Sequence, residues 1–218
     1  MMGLMSLPLF PAEPGLPQPL MPGAVLLPGH ALPQARALLE LAETVFAAAP
    51  ARRWLTPGGR RMAVAMSNCG ALGWVSDERG YRYSPVDPLS GQAWPPMPAR
   101  FGDLARAAAA AAGFADFAPN ACLLNRYEPG TRLSLHQDKD ERDYTQPIVS
   151  VSLGLPAVFL FGGLRRTDPC LRLGLQHGDV LVWGGPARLR FHGVAPLAPG
   201  QHPDLGALRL NLTFRKAA

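Results

Sequence analysis

A chain of 218 residues, 48% hydrophobic and 17% charged, has room for one domain with a full core and is too apolar for wholesale disorder. Its formal charge of +5 fits a polyanionic partner, but all basic residues except Lys139 and Lys216 are arginines, which codon usage alone also explains. Three scattered cysteines (Cys69, Cys122, Cys170) exclude a disulfide framework, and no apolar run approaches a membrane span, so the expectation is a cytoplasmic protein without a membrane.

Residues 1–32 are rich in Pro, Gly and Leu and read as an irregular arm packed on the surface. Residues 33–50 place Ala35, Leu38, Leu39, Ala42, Val45 and Phe46 at helical spacing, and Pro50 ends the run. From 51 to 98 short β-like runs alternate with the turns TPGG, SNCG, DERGYRYSP and DPLSG. A second helix is predicted over 97–113, with Gly113 as its stop. From Ala121 onward nearly everything reads as strand: CLLNRY, TRLSLHQD, IVSVSLG, AVFLFGG, GDVLVWGG, RLRFHGV and ALRLNLTFR. Two helices followed by about seven strands predict an α+β fold with a β-sandwich or jelly roll.

Two H-x-D pairs occur, where fewer than one is expected by chance. His202 and Asp204 lie in APGQHPD and read as a solvated turn. His136 and Asp138 instead close an alternating segment, in which residues two apart point the same way. Arg132, Ser134, His136 and Asp138 are expected on one face, with Leu133 and Leu135 on the other. RLRFHGV offers His192 as a third ligand, on a strand face shared with Arg188 and Arg190; the alternative is a surface histidine on a basic strand. Two histidines and a carboxylate on a β scaffold suit either a non-haem Fe(II) site or a catalytic zinc.

The last strand distinguishes them. In LRLNLTFR, Leu208, Leu210, Leu212 and Phe214 form an apolar face, and Arg209, Asn211, Thr213 and Arg215 the opposite one. Two guanidiniums, an amide and a hydroxyl turned inward make a poor core and a good carboxylate receptor. A dicarboxylate co-substrate that chelates iron at one end would use this strand fully. If the strand were an edge, the same face would simply be solvated.

These residues, together with TPGGRRMAVAMSNCG, GYRYSPVDP, NRYEPG, LSLHQDKDE, PIVSVSLGLPAVFLFGGL, HGDVLVWGG and RLNLTFR in order, resemble the AlkB family of Fe(II)/2-oxoglutarate-dependent dioxygenases over about three-quarters of the chain. The resemblance implies one catalytic domain over 1–218, with an N-terminal arm and helix (1–50), a nucleotide-recognition lid (51–98) and a double-stranded β-helix (jelly-roll) core (118–218). It implies iron held by His136, Asp138 and His192, and 2-oxoglutarate held by Asn125, Tyr127, Arg209, Asn211 and Arg215. O2 would be the oxidant. Trp74 would stack on a flipped base with His136 on its other face, although packing alone would make Trp74 a core residue. Tyr81, Arg82 and Tyr83 would hold phosphates, where a hairpin surface is the plainer alternative. Met66 and Arg166 would line the pocket. Asp140, aided by Glu141, would select the positive charge of bases methylated at a ring nitrogen, while Lys139 would face solvent. The implied activity is oxidative demethylation of 1-methyladenine- and 3-methylcytosine-type lesions in single- or double-stranded DNA, by a monomer that restores the base directly. A dioxygenase of the same class acting on RNA or protein is the alternative.

Overall fold

The protein is described by a computed structural model covering residues 14–218. Its centre is an antiparallel sheet of seven strands, in the order β1 (Gln18–Met21), β2 (Ala24–Leu27), β11 (Val180–Trp183), β8 (Ile148–Gly154), β13 (Arg209–Arg215), β6 (Ala121–Tyr127) and β3 (Ala65–Gly70). A second sheet has the order β10 (Leu171–Leu175), β9 (Ala157–Phe161), β12 (His192–Val194) and β7 (Leu133–His136). A separate hairpin pairs β4 (Gly73–Asp77) with β5 (Gly80–Ser84). The two larger sheets form the expected jelly roll of the α+β class.

Period-two patterning sorts the central strands into two interiors. Val149, Val151 and Leu153 of β8, Val180 and Val182 of β11, and Leu210, Leu212 and Phe214 of β13 pack with Leu38, Ala42 and Val45 of helix α1 (Ala35–Ala48). Phe101, Leu104 and Ala108 of helix α2 (Ala99–Ala111) join them, with the Phe101 and Phe214 rings edge-on at 6.0 Å. The other face of the same sheet sends Leu123, Tyr127, Ile148, Leu181 and Trp183 towards Phe159, Phe161 and Val194 of the smaller sheet. Helix α2 stops as predicted: Gly113 takes φ +89, its N–H reaches Ala110 O, and the Phe114 N–H reaches Ala109 O. Those are the two bonds that close a helix onto a left-handed glycine.

Three expectations need correction. Residues 1–13 of the predicted arm lie outside the described residues, but 14–32 are not irregular. They form β1 and β2, and β2 pairs with β11 through Ala24↔Trp183 and Leu27↔Val180. Pro17, Pro22 and Pro28 flank these short strands, Pro19 sits within the edge strand β1, and Gly23, at φ +80, makes the turn between them. The region 51–98 is not one unit either, because β3 belongs to the large sheet and pairs with β6 along its length. Finally, RLRFHGV is strand only from His192. Residues Gly185–Ala187 form a 3-10 turn, and Arg188 caps it in a helical conformation, so Arg188 and His192 share no strand face. Among the described residues, no helix is long and apolar enough to cross a membrane.

Candidate active site

β7 and β12 bring the two histidines together. His136 and His192 are direct cross-strand partners, with ring centroids 4.4 Å apart. Val194 pairs with Leu133 rather than Ser134, so β7 carries a bulge opposite Gly193. A bulge bends its strand and re-aims the side chain beyond it. Strict alternation therefore fails here: Leu133 packs against the inter-sheet core, on the side to which His136 points. Gly193 is required, because a Cβ there would meet Leu133 O at 2.6 Å.

Each imidazole is fixed by its own strand. His136 Nδ1 lies 2.9 Å from Ser134 O, and His192 Nδ1 lies 3.0 Å from Arg190 O. A carbonyl oxygen only accepts, so each Nδ1 donates and each Nε2 keeps a free lone pair. Those lone pairs converge on Asp138, with His136 Nε2 3.5 Å from Oδ1 and His192 Nε2 3.7 Å from Oδ2. One ligand atom from each of the three residues falls within 4.8 Å of the others. Burial, with the neighbouring His136, pushes the His192 pKa down to about 4 and keeps its ring neutral. Trp183 and Phe159 wall the His192 ring at centroid distances of 5.1 and 5.8 Å.

Asp138 is held by arginine. Arg215 Nε and Nη2 both reach its Oδ2, at 2.8 and 2.6 Å. Burial would raise the Asp138 pKa, but Arg215 first, then His192 and His136, outweigh it and hold the carboxyl well below the usual range. Two imidazole nitrogens and one carboxylate form the donor set of a facial-triad Fe(II) centre, and this geometry fits it.

The co-substrate expectation meets a second fit. Arg209 is 1% exposed, yet among the described residues only its Nη2 finds an acceptor, Ser152 Oγ at 3.0 Å, and Nε and Nη1 have none. A buried guanidinium with two idle donors is costly unless a carboxylate completes it. The Tyr127 ring lies 5.1 Å from its guanidinium carbon. Asn211 is saturated instead, donating to Ser150 Oγ and Val151 O while accepting from Asn125 Nδ2 and Thr213 Oγ1. It braces Asn125, whose Oδ1 is unpaired. Of the five residues expected to hold the diacid, Arg209 offers two fully buried nitrogens without an acceptor among the described residues, while Arg215 is engaged with Asp138.

The hairpin carries the remaining candidates. Trp74 is half-buried, stacks on the exposed Tyr81 at 5.6 Å and 13°, and donates its Nε1–H to Asp140 Oδ2 at 2.8 Å. Tyr81, Arg82, Tyr83, Asp140 and Arg142 line one open cleft. Arg82 is already paired with both oxygens of Asp77, each at 2.7 Å, and holds that carboxyl down to about 2. Tyr83 donates to Glu141 Oε1 at 2.7 Å. Glu141 is 5% exposed, so it is not the solvent-facing acid that a charged run implies, nor does it line the cleft beside Asp140. Lys139 is exposed, as expected. Met66 is a core residue beside Trp54 and Tyr127. Arg166 is exposed, donates to Leu135 O beside the metal-ligand strand, and lies over the Phe191 ring at 5.0 Å. The His202 turn is less solvated than expected: its side chain is 14% exposed and its ring lies 4.3 Å from that of His177.

Sequence reasoning missed Arg188. It is buried, donates from Nη1 to Asp138 O at 2.8 Å and pairs through Nη2 with Glu141 Oε2 at 3.0 Å. Its only signal was an arginine two residues past a Gly-Gly-Pro turn.

The sequence matches the 2OG-Fe(II) oxygenase superfamily across residues 23–215. It is 56% identical over 212 residues to the alpha-ketoglutarate-dependent dioxygenase AlkB of Salmonella typhimurium, covering 97% of this chain and 98% of that one. It is 36% identical over 129 residues to the nucleic acid dioxygenase ALKBH1 of Homo sapiens, covering 59% of this chain and 33% of that one. Among solved structures, that of OsALKBH1 matches with a TM-score of 0.81 at 29% identity, over 92% of this chain and 99% of that chain.

Proposed function

The chain belongs to the AlkB family of the 2OG-Fe(II) oxygenase superfamily and is a dioxygenase that uses Fe(II), 2-oxoglutarate and O2; from that premise we propose that it demethylates N-alkylated bases of the 1-methyladenine and 3-methylcytosine type in DNA. The observation that carries this reading is the convergence of His136, Asp138 and His192 in the same inter-sheet interior as Arg209 and its idle donors. When bound, iron with 2-oxoglutarate and O2 supplies the oxidation of an N-methyl group, which leaves as formaldehyde while the co-substrate becomes succinate and CO2.

The chain's own residues bind and orient. His136 and His192 offer fixed Nε2 lone pairs, and Asp138 offers the one anionic ligand. Arg209 takes the distal carboxylate of 2-oxoglutarate through Nε and Nη1, with Tyr127 and the Asn211-braced Asn125 beside it. Trp183, Phe159 and Phe161 keep the interior dry around His192, where fixed dipoles and charges act strongly.

A base inside a duplex cannot reach this interior, so it must leave the stack. The hairpin supplies the receiving surface, with Trp74 and Tyr81 presenting aromatic faces. Asp140, whose Oδ2 is already held by Trp74, keeps a carboxylate at the cleft, where the positive charge of a ring-methylated base is favoured. Arg82, released from Asp77, and Arg166 are the cations within reach of phosphates. The same reading takes residues 1–218 as one catalytic domain, acting as a cytoplasmic monomer on single- or double-stranded DNA.

The test is a panel of oligonucleotides bearing 1-methyladenine, 3-methylcytosine or no lesion, in DNA and RNA, single- and double-stranded. Formaldehyde release that is confined to methylated strands and greatest on DNA supports the reading. Release from RNA alone would move the substrate assignment to RNA.

A further inference from the structure

The hairpin is tied to the segment that follows the metal-ligand strand. Trp74 and Tyr83 are direct cross-strand partners in β4 and β5. Trp74 Nε1 donates to Asp140, and the Tyr83 O–H donates to Glu141, at 2.8 and 2.7 Å. Two successive acids, two and three residues beyond the ligand Asp138, are thus each held by one strand of the hairpin.

The opposite side of that segment is held by the large sheet and the 3-10 turn. Arg188 grips it twice, at Asp138 O and at Glu141 Oε2. Arg215 spans both acids, with Nε and Nη2 on Asp138 Oδ2 and Nε 3.4 Å from Glu141 Oε1. The side chains of Asp138, Glu141, Arg188 and Arg215 are each no more than 9% exposed. They form a closed set of two carboxylates and two guanidiniums.

Charge gives Glu141 a task that burial alone does not explain. Arg215 lies between two carboxylates, so its charge is shared, and Asp138 stays negative enough to receive a cation. Without Glu141, the full guanidinium charge would fall on Asp138 Oδ2 and oppose any divalent ion beside it. The Tyr83 O–H completes the set by satisfying Glu141 Oε1 from the hairpin side.

We propose that Glu141 and Tyr83 are positioning residues for the metal ligand Asp138, acting through Arg215, rather than contacts to the alkylated base. Glu141 sets the charge and angle of Arg215. Tyr83 makes the hairpin part of the same support, so the hairpin's seating and the metal ligand's orientation are one mechanical unit. This rests on the reading of His136, Asp138 and His192 as the metal site.

The experiment titrates Co(II) into the metal-free protein and follows its visible absorption, for the wild type and for Tyr83→Phe, Glu141→Gln and His136→Ala. The KM for a methylated oligonucleotide is measured alongside. Tyr83→Phe keeps the ring and removes only the donor, so it decides the matter if Glu141→Gln does not fold. Supports of metal ligands typically contribute about tenfold or more in metal affinity. The expected result is weakening of that order in Glu141→Gln, a smaller weakening in Tyr83→Phe, altered Co(II) bands in both, and an oligonucleotide KM that barely moves. Unchanged Co(II) affinity and bands in both variants, with a raised oligonucleotide KM, would overturn the proposal and return the two residues to the substrate. If His136→Ala binds Co(II) as the wild type does, the metal-site reading itself fails, and that result is distinct from the other two.

Discussion

Arg209 and Arg215 lie six residues apart on one strand and do opposite things. Arg215 is paired with Asp138 and Glu141, and although burial alone would lower its pKa, those two carboxylates with Tyr83 raise it. Arg209 has no carboxylate, and burial lowers its pKa. Replacing Arg209 by Met should therefore split two properties. Binding of 2-oxoglutarate, followed by calorimetry, should weaken by about 2 kcal/mol or more, roughly thirtyfold. Stability of the ligand-free protein in urea should hold or rise, because an uncompensated buried charge has gone. A fall in stability with unchanged 2-oxoglutarate affinity would mean that Arg209 is a structural residue. Both arginines were legible from their alternation with apolar residues, although that pattern left an edge strand with a solvated polar face open, and the central place of β13 in the sheet closes that alternative. Arg188 and the burial of Glu141 were not. An acid in the run DKDER looks solvated, and only the tertiary approach of two guanidiniums from distant segments makes it a core residue.

At the scale of elements, β13 and β7 show what a pattern of period two can and cannot reveal. β13 is straight and central, every residue is buried, and its two faces divide as the alternation predicts. β7 has the same look in sequence but carries a bulge against Gly193, and a bulge is a relation between two strands that neither sequence displays. The 3-10 turn at Gly185–Ala187 likewise breaks an apparent strand and turns Arg188 inward. The N-terminal pair β1–β2 was hidden by its own prolines and glycines, most of which belong to its ends and turn, with Pro19 tolerated inside the edge strand β1. Gly193→Ala should test the bulge. A Cβ 2.6 Å from Leu133 O must push β12 away from β7, and with it His192 from His136. Overpacking of this kind typically costs about 1–3 kcal/mol. The loss should appear as a lowered Tm together with weakened metal binding; a Tm and metal affinity equal to those of the wild type would show that the bulge does not set the site.

Across the whole molecule, burial lowers the pKa of four histidines, His30, His177, His192 and His202. Burial lowers His177 and His192 to about 4. Their folded pKa lies below the unfolded value of 6.5, so the unfolded chain takes up protons that the native state refuses. Stability should be level above pH 6.5 and fall as the pH drops towards about 4. Asp138, depressed in the folded state, adds a further loss as the pH falls below its ordinary carboxylate range. Urea midpoints of the metal-free protein between pH 8 and pH 4 check the direction, and a midpoint that rises on acidification would contradict it. The diacid-receiving strand and the His136/Asp138 pair were readable as fixed spacing within one segment each, whereas His192 comes from another strand and was settled as a ligand only by the family resemblance. The hairpin's tie to the segment 138–141 was not readable, since it joins residues 66 and 58 positions apart.

This interior couples oxidation of a diacid to removal of a methyl group from a nucleic-acid base. The most direct measurement counts formaldehyde and succinate together, from single-stranded DNA carrying 1-methyladenine, with Fe(II), 2-oxoglutarate and O2 supplied. The prediction is one formaldehyde for each succinate formed in excess of the lesion-free control, with both products lost on omitting Fe(II) and in Asp138→Ala. Succinate formed at the same rate with and without the lesion, and no formaldehyde, would contradict it.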